Sequence, residues 1–238
     1  MAVDGTGLAA TAAPDDSAAP QKEPALALHA IVKRWRGIDV LDGVDLDVPG
    51  GTRVFIGGIN GAGKTTLLRI AAGLIVPDSG EIALRGLDPE RQRRAYQRKL
   101  GFLSAGNVGL YARLSVRDNV AFWAAISFVP RPRRRRAIDD ALERFQAADL
   151  ADRRVDRLSM GQRQRIRLAM TFLHAPEVVL LDEPHTSLDD DGLSLLGGVL
   201  DEHARAGGSA LICAPSRDHL GLDVDASYVI DSGRLAGA

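Results

Sequence analysis

Residues 58–65 read Gly58-Ile59-Asn60-Gly61-Ala62-Gly63-Lys64-Thr65, a full match to the pattern G-x-x-x-x-G-K-[ST]. The spacing dictates a local geometry. Its glycines let the backbone curl until successive N–H groups point into one concavity, a nest for phosphate oxygens. A helix opening at about Gly63 aims its positive end at the same place. Lys64 supplies a mobile cation for β- and γ-phosphates, and the Thr65 hydroxyl is a candidate Mg²⁺ ligand. With Thr66, these residues are the candidate phosphate-binding set. The flanks agree. Val54-Phe55-Ile56 has the apolar character of a buried strand, and Thr66 to Ala72 has helical composition.

Around this loop, strand-like apolar runs alternate with helical stretches. Strands are expected at 25–32, 44–48, 52–56, 81–84, 99–104, 178–181, 210–214 and 227–230. Beyond the helix after the loop, helices are expected at 89–98, 115–127, 136–148, 160–173 and 188–206, with Pro130 and Pro132 breaking the chain between two of them. Such alternation means an α/β domain with a largely parallel core sheet. The all-helical stretch from 115 to 173 interrupts it and reads as a separate lobe.

Composition narrows the class. Hydrophobic residues at 45% and charged residues at 26% are ordinary globular values. A formal net charge of −1 gives no global field for nucleic acid or anionic lipid. The single cysteine, Cys213, excludes an internal disulfide and a four-cysteine zinc site; its apolar neighbours read as packed core. No apolar stretch reaches the roughly 18 residues a membrane span needs. Residues 1–24, rich in Ala, Asp and Pro, lack the basic start and apolar core of a signal peptide and read as a disordered tail. Arg131, Arg133, Arg134, Arg135 and Arg136 read as a solvated helix start, or else as a contact for a partner protein or anionic headgroups. No aromatic interleaving suggests DNA.

A second element concerns hydrolysis. Val178-Val179-Leu180-Leu181-Asp182-Glu183-Pro184 is an apolar strand ending in adjacent carboxylates. A strand's period of two points neighbouring side chains differently, so one can reach a metal and the other a water beyond the γ-phosphate. Asp182 is assigned to the metal, directly or through water. Glu183 is the candidate base that orients and polarises the attacking water.

A third element carries a resemblance. Leu158-Ser159-Met160-Gly161-Gln162, followed by Arg163-Gln164-Arg165, resembles the signature Leu-Ser-Gly-Gly-Gln of ATP-binding-cassette (ABC) proteins. The order of phosphate loop, helical lobe, signature and Asp-Glu strand is that family's, and Ser187-Leu188-Asp189 looks like its D-loop. The stretch Leu110 to Phe122 resembles the lobe of exporting, ABC-2-like cassettes. The resemblance covers about residues 25–236 as one ATP-binding domain. It implies an α/β fold: a P-loop NTPase core with a mostly parallel sheet, an antiparallel N-terminal β subdomain and an inserted α-helical signature lobe at about 106–173. Trp35 stands where the family keeps an aromatic that stacks on adenine; the alternative is an ordinary surface tryptophan.

In this family two cassettes sandwich two ATP molecules head to tail. The resemblance therefore implies ATP and Mg²⁺ as cofactors and a second cassette, identical or different, as partner. Ser159, Met160, Gly161 and Gln162 of one subunit would close on phosphates held by the other. Met160 in place of Gly is expected to be tolerated, because the closing contacts come from its neighbours. A polytopic transmembrane permease is the other implied partner, nucleic acid is not, and the chain is expected at the cytoplasmic face of the membrane.

Two departures stand out. The family's Gln at the end of the strand after the first helices falls here on Ala105 or Gly106, with Asn107 the nearest amide. The family's His after the strand at 210–214 is replaced by Pro215, with His219 four residues later and His185 near the acidic pair. Both histidines also read as ordinary loop residues. The chain is thus expected to bind and hydrolyse ATP slowly and to power a transporter, an exporter by preference. The alternatives are a soluble ABC ATPase in a cytoplasmic assembly, a low-turnover regulator, or the degenerate half of a heterodimer.

Overall fold

The computed structural model describes residues 23–106, 108–217 and 220–237. The expected tail, up to residue 22, and both Asn107 and His219 lie outside the described residues. The first half of the chain runs β1 (Leu26–Trp35), β2 (Ile38–Val48), β3 (Arg53–Gly57), α1 (Lys64–Ala71), β4 (Ser79–Leu84), α2 (Arg93–Lys99) and β5 (Leu100–Leu103). Then come three helices, α3 (Val116–Ile126), α4 (Arg134–Arg144) and α5 (Met160–Phe172). The chain closes with β6 (Val178–Asp182), α6 (Asp190–Arg205), β7 (Ser209–Cys213), β8 (Ala226–Asp231) and β9 (Arg234–Gly237).

Six strands form one sheet in the order β5-β6-β7-β3-β8-β9, parallel throughout except for β9. The remaining three form an antiparallel sheet, β2-β1-β4. Period two divides the core between the faces of the larger sheet. Val54, Ile56, Val178, Leu180, Leu211 and Cys213 pack with α1 and the small sheet. Phe55, Val179, Leu181, Ala210 and Ile212 pack with α5, α6 and the lobe of α3 and α4. Burial on both faces is why these strands read as unbroken apolar runs. Burial also raises the Cys213 thiol well above its ordinary pKa, as a packed core cysteine requires.

Besides shifts of a few residues at the ends of β1, α2 and α4, two elements differ from expectation. β2 starts at Ile38, not 44, and β9 was not expected at all. Both sit on hairpins whose central residues, Arg36-Gly37 and Ser232-Gly233, have positive φ, the conformation of tight two-residue turns. The acids at the start of β2 hid its alternation: Asp39 pairs with Arg34 of β1, and Asp42 takes Arg234 from β9. The arginine run begins α4 in solvent, with Arg136 3.5 Å from Asp140 one turn on. Among the described residues no helix is long and apolar enough to cross a membrane.

Candidate functional site

The phosphate loop joins the end of β3 to the start of α1. Two of its glycines are required by close packing. A Cβ on Gly58 (φ 145°) would lie 2.5 Å from the Ile230 carbonyl of β8, and one on Gly63 (φ 109°) would lie 2.8 Å from the Val40 carbonyl of β2. Ile59, Asn60 and Gly61 form the exposed tip, and Ala62 donates its N–H to Ile59 at 3.2 Å. The loop curls around its own lysine. Lys64 Nζ donates to the carbonyls of Gly58 and Ile59 at 2.5 and 2.9 Å and is almost fully enclosed.

Thr65 and Thr66 follow on the first turn of α1, partly buried. Thr65 Oγ1 donates to Asp182 Oδ2 at 2.9 Å, and Asp182 is only 2% exposed. A hydroxyl and a carboxylate so disposed are hard oxygen donors of the kind that suit a magnesium ion. Glu183 diverges from Asp182 for a reason beyond strand alternation. β6 ends at Asp182, and Glu183 turns out of the strand at φ 51° while its N–H remains on the Cys213 carbonyl at 2.8 Å.

The signature turn opens α5. Ser159 caps the helix: its hydroxyl accepts the Gln162 N–H, and the Gln162 side chain accepts the Ser159 N–H. That box uses the hydroxyl as an acceptor and leaves its proton for donation. Met160 is exposed beside it. A Cβ on Gly161 would lie 3.0 Å from the Ser187 carbonyl, so the signature packs on the D-loop turn. Asp189 then caps α6 through the Gly192 amide and meets Arg165 at 3.1 Å, and these bonds hold its carboxyl below the ordinary pKa.

Trp35 ends β1 at the tip of the first hairpin, on the same ribbon whose Val40 touches Gly63. It is 48% exposed, with the Lys33 ammonium 4.9 Å from the ring centroid. Lys33 is in turn held by Asp78 and the Val76 carbonyl, each at 2.9 Å. Pro215 follows β7, and its carbonyl accepts the Gly58 N–H at 3.4 Å, so this position borders the phosphate loop. Ala105 and Gly106 lie just beyond β5, and His185 lies in the turn after Pro184. Two buried residues of α5, Gln164 and Arg167, were given no role by the sequence. Their signal was faint: polar side chains three apart among Ile166, Leu168 and Ala169.

The family described as ABC transporter matches this chain over residues 41–186. The chain belongs to that family. As an ABC cassette it is 37% identical over 199 residues to the cytochrome c biogenesis ATP-binding export protein CcmA of Roseobacter denitrificans, covering 84% of this chain and 86% of that one. It is 31% identical over 192 residues to the ABC transporter ATP-binding protein NatA of Bacillus subtilis, covering 81% and 78%. Among solved structures, an ATP-binding subunit of an ABC transporter superposes with a TM-score of 0.81 at 22% identity over 89% of both chains, a likeness of fold. The cassette cbiO1 of Clostridium perfringens, part of the transporter complex cbiONQ, gives 0.78 at 27% identity over 90% of this chain and 88% of that one. ABC cassettes are nucleotide-binding ATPases that dimerise and work with transmembrane permeases.

Proposed function

We propose that this cassette binds and hydrolyses ATP to drive an exporting membrane transporter. One observation carries the reading: the Thr65–Asp182 contact brings the phosphate loop to the end of β6, with Glu183 next in the chain. Residues 25–236 act as one cassette, with 106–173 as its helical lobe. The backbone of residues 58–63 and the Lys64 ammonium cradle the phosphates, Thr66 adds a hydroxyl, and Trp35 stacks on adenine. Thr65 and Asp182 would hold Mg²⁺, which would supply neutralisation of the phosphate charge. Glu183 accepts a proton from the attacking water. The water oxygen bonds to the γ-phosphorus as the bond to the bridging oxygen of ADP breaks.

Ser159, Met160, Gly161 and Gln162 close on the phosphates held by a second cassette, as a helix start rich in donors favours an anion. Closure and reopening of the pair move a polytopic permease, with the cassette peripheral at the cytoplasmic face. A groove of about 440 Å³ between β5, α3 and α5, rimmed by exposed Leu74, Val108, Ile126 and Phe128, is the apolar surface available to that partner. Ala105 or Gly106 and Pro215, lacking polar side chains, make turnover slow. Those same residues favour a second reading, a regulator that binds ATP without turning it over.

Turnover of Mg-ATP by the purified chain, alone and with its co-purified membrane protein, tests both readings. Hydrolysis that Glu183→Gln abolishes, raised by a polytopic partner, is expected. ATP binding with no hydrolysis in either state would select the regulator.

A further inference from the structure

Arg167 is a buried cation that is satisfied by oxygens of uncharged groups. It lies midway along α5, is 5% exposed, and among the described residues has no carboxylate partner. Burying a charge without a counter-charge is costly, so the bonds that hold it merit attention. Nε donates to the Val108 carbonyl at 3.0 Å, and Nη2 donates to the Ser104 carbonyl. The guanidinium thus grips the loop after β5 on both sides of Ala105 and Gly106. Nη1 donates to Gln164 Oε1 at 2.7 Å, one turn earlier on the helix. Gln164, 3% exposed, donates its amide to the Pro184 carbonyl at 3.0 Å. Pro184 directly follows Glu183. The path therefore runs from the loop, through two side chains of one helix, to the residue beside the candidate base.

We propose that Arg167 and Gln164 are positioning residues for hydrolysis, tying the loop after β5 to the turn that aims Glu183. The inference rests on the reading of Glu183 as the base. The loop has no polar side chain at 105 or 106, so its position is communicated through its carbonyls. Ser104, Val108 and Arg167 also line the groove under β5. A partner seated there presses on the guanidinium, and two hydrogen bonds carry the displacement to Pro184. The chemistry is particular to these residues. The guanidinium donates from three separate nitrogens in one plane, a spread that the single nitrogen of a lysine ammonium lacks. A glutamate at 164 would still accept from Arg167 but could not donate to Pro184.

The test uses the full chain as wild type, Gln164→Glu and Arg167→Lys. It measures turnover at saturating ATP, equilibrium ATP affinity, thermal midpoint, and hydrogen exchange in peptides covering 104–109 and 183–188. Turnover is expected to fall by roughly 10- to 100-fold, the scale of a small misplacement of reacting groups. ATP affinity should change by less than about 2-fold, which assigns the loss to the chemical step. Exchange should rise at 183–188 in both variants, and at 104–109 in Arg167→Lys. Unchanged turnover in a folded Gln164→Glu protein overturns the proposal. So does a parallel loss of turnover, affinity and midpoint, the pattern of a merely structural bond. Arg167→Met removes the buried charge altogether and keeps the test decisive where Gln164→Glu fails to fold. Should wild-type turnover not exceed that of Glu183→Gln, the hydrolysis reading itself has failed. The tie is then decided by exchange: loosening of both segments in Arg167→Lys supports it, and loosening of 104–109 alone overturns it.

Discussion

Thr65 on the first turn of α1 donates to Asp182 at the end of β6 across 2.9 Å, and so fixes the distance between the phosphate loop and the acidic pair. The bond closes the gap that a metal ion would bridge between the two elements. Thr65→Val removes the hydroxyl and leaves a nearly isosteric side chain. ATP affinity with Mg²⁺ should fall roughly 10- to 100-fold, while affinity in a chelator should barely change, because a lost contact to a charged group is worth about 1.5–3 kcal/mol. Calorimetry under both conditions checks this. An equal loss with and without Mg²⁺ would assign Thr65 to the phosphates instead.

Lys64→Ala deletes the ammonium that now rests on the carbonyls of Gly58 and Ile59. ATP affinity should drop roughly 10- to 100-fold, with the secondary structure retained. Equal affinity in wild type and variant would reject the phosphate-loop assignment.

Trp35 offers a half-exposed ring face with a cation already beside it. Stacking on adenine is worth about 1–3 kcal/mol, so Trp35→Ala should weaken ATP by roughly 5- to 100-fold. In Trp123→Phe, Trp35 is the remaining tryptophan. That change also removes the indole N–H bond to Gly109, so its folding is checked first. A Trp35 emission that ignores saturating ATP would count against stacking.

Glu183→Gln keeps the side-chain shape and removes the proton acceptor. Turnover should fall about 10²- to 10⁴-fold, and ATP-bound dimers should accumulate in size-exclusion chromatography. Pro215→His, at a position whose carbonyl meets Gly58, should raise turnover several-fold by supplying an imidazole donor. A well-folded Pro215→His protein with wild-type turnover would mean that another group already serves the γ-phosphate.

His203 gives the fold a pH dependence with a definite sign. Burial lowers its pKa from the ordinary 6.5, nearby Arg144 adds to the effect, and the Ser209 backbone partly opposes it. Its ring stands edge-on to Phe172, with centroids 5.5 Å apart, and among the described residues its Nε2 has no hydrogen-bond partner. As pH falls below 6.5 the unfolded chain takes up this proton before the native one does. Stability present above that value is therefore lost as pH drops through the folded pKa. The thermal midpoint should decline between about pH 7.5 and about pH 5.5, and His203→Leu should reduce that decline. An identical decline in the variant would place the acid sensitivity elsewhere, for instance at half-buried His174, whose pKa is also lowered by burial.

What could be read from the sequence follows from how each feature is encoded. The phosphate loop was legible because Gly58 and Gly63 meet backbone that leaves no space for a Cβ, so residue type and geometry are one statement. The central strands β3, β6 and β7 were legible because both their faces are buried. The early half of β2 was not, since its carboxylates find partners on other strands that local pattern cannot reveal. β9, only four residues long, offered too little alternation, although Ser232-Gly233 was a turn signal. The tie through Gln164 and Arg167 was hidden for a different reason. Its acceptors at Ser104, Val108 and Pro184 are main-chain carbonyls, which every residue possesses.

Cys213 stands opposite Asp182 in the sheet register, and its carbonyl holds the Glu183 amide. Its thiol is fully enclosed and stays protonated. A thiol reagent therefore reaches it only when β7 comes away from its neighbours. The chain's single sulfhydryl is in effect a stopwatch built into the acidic centre: its labelling rate times the excursions in which that centre comes apart, and a nucleotide that clamps the site would slow the clock.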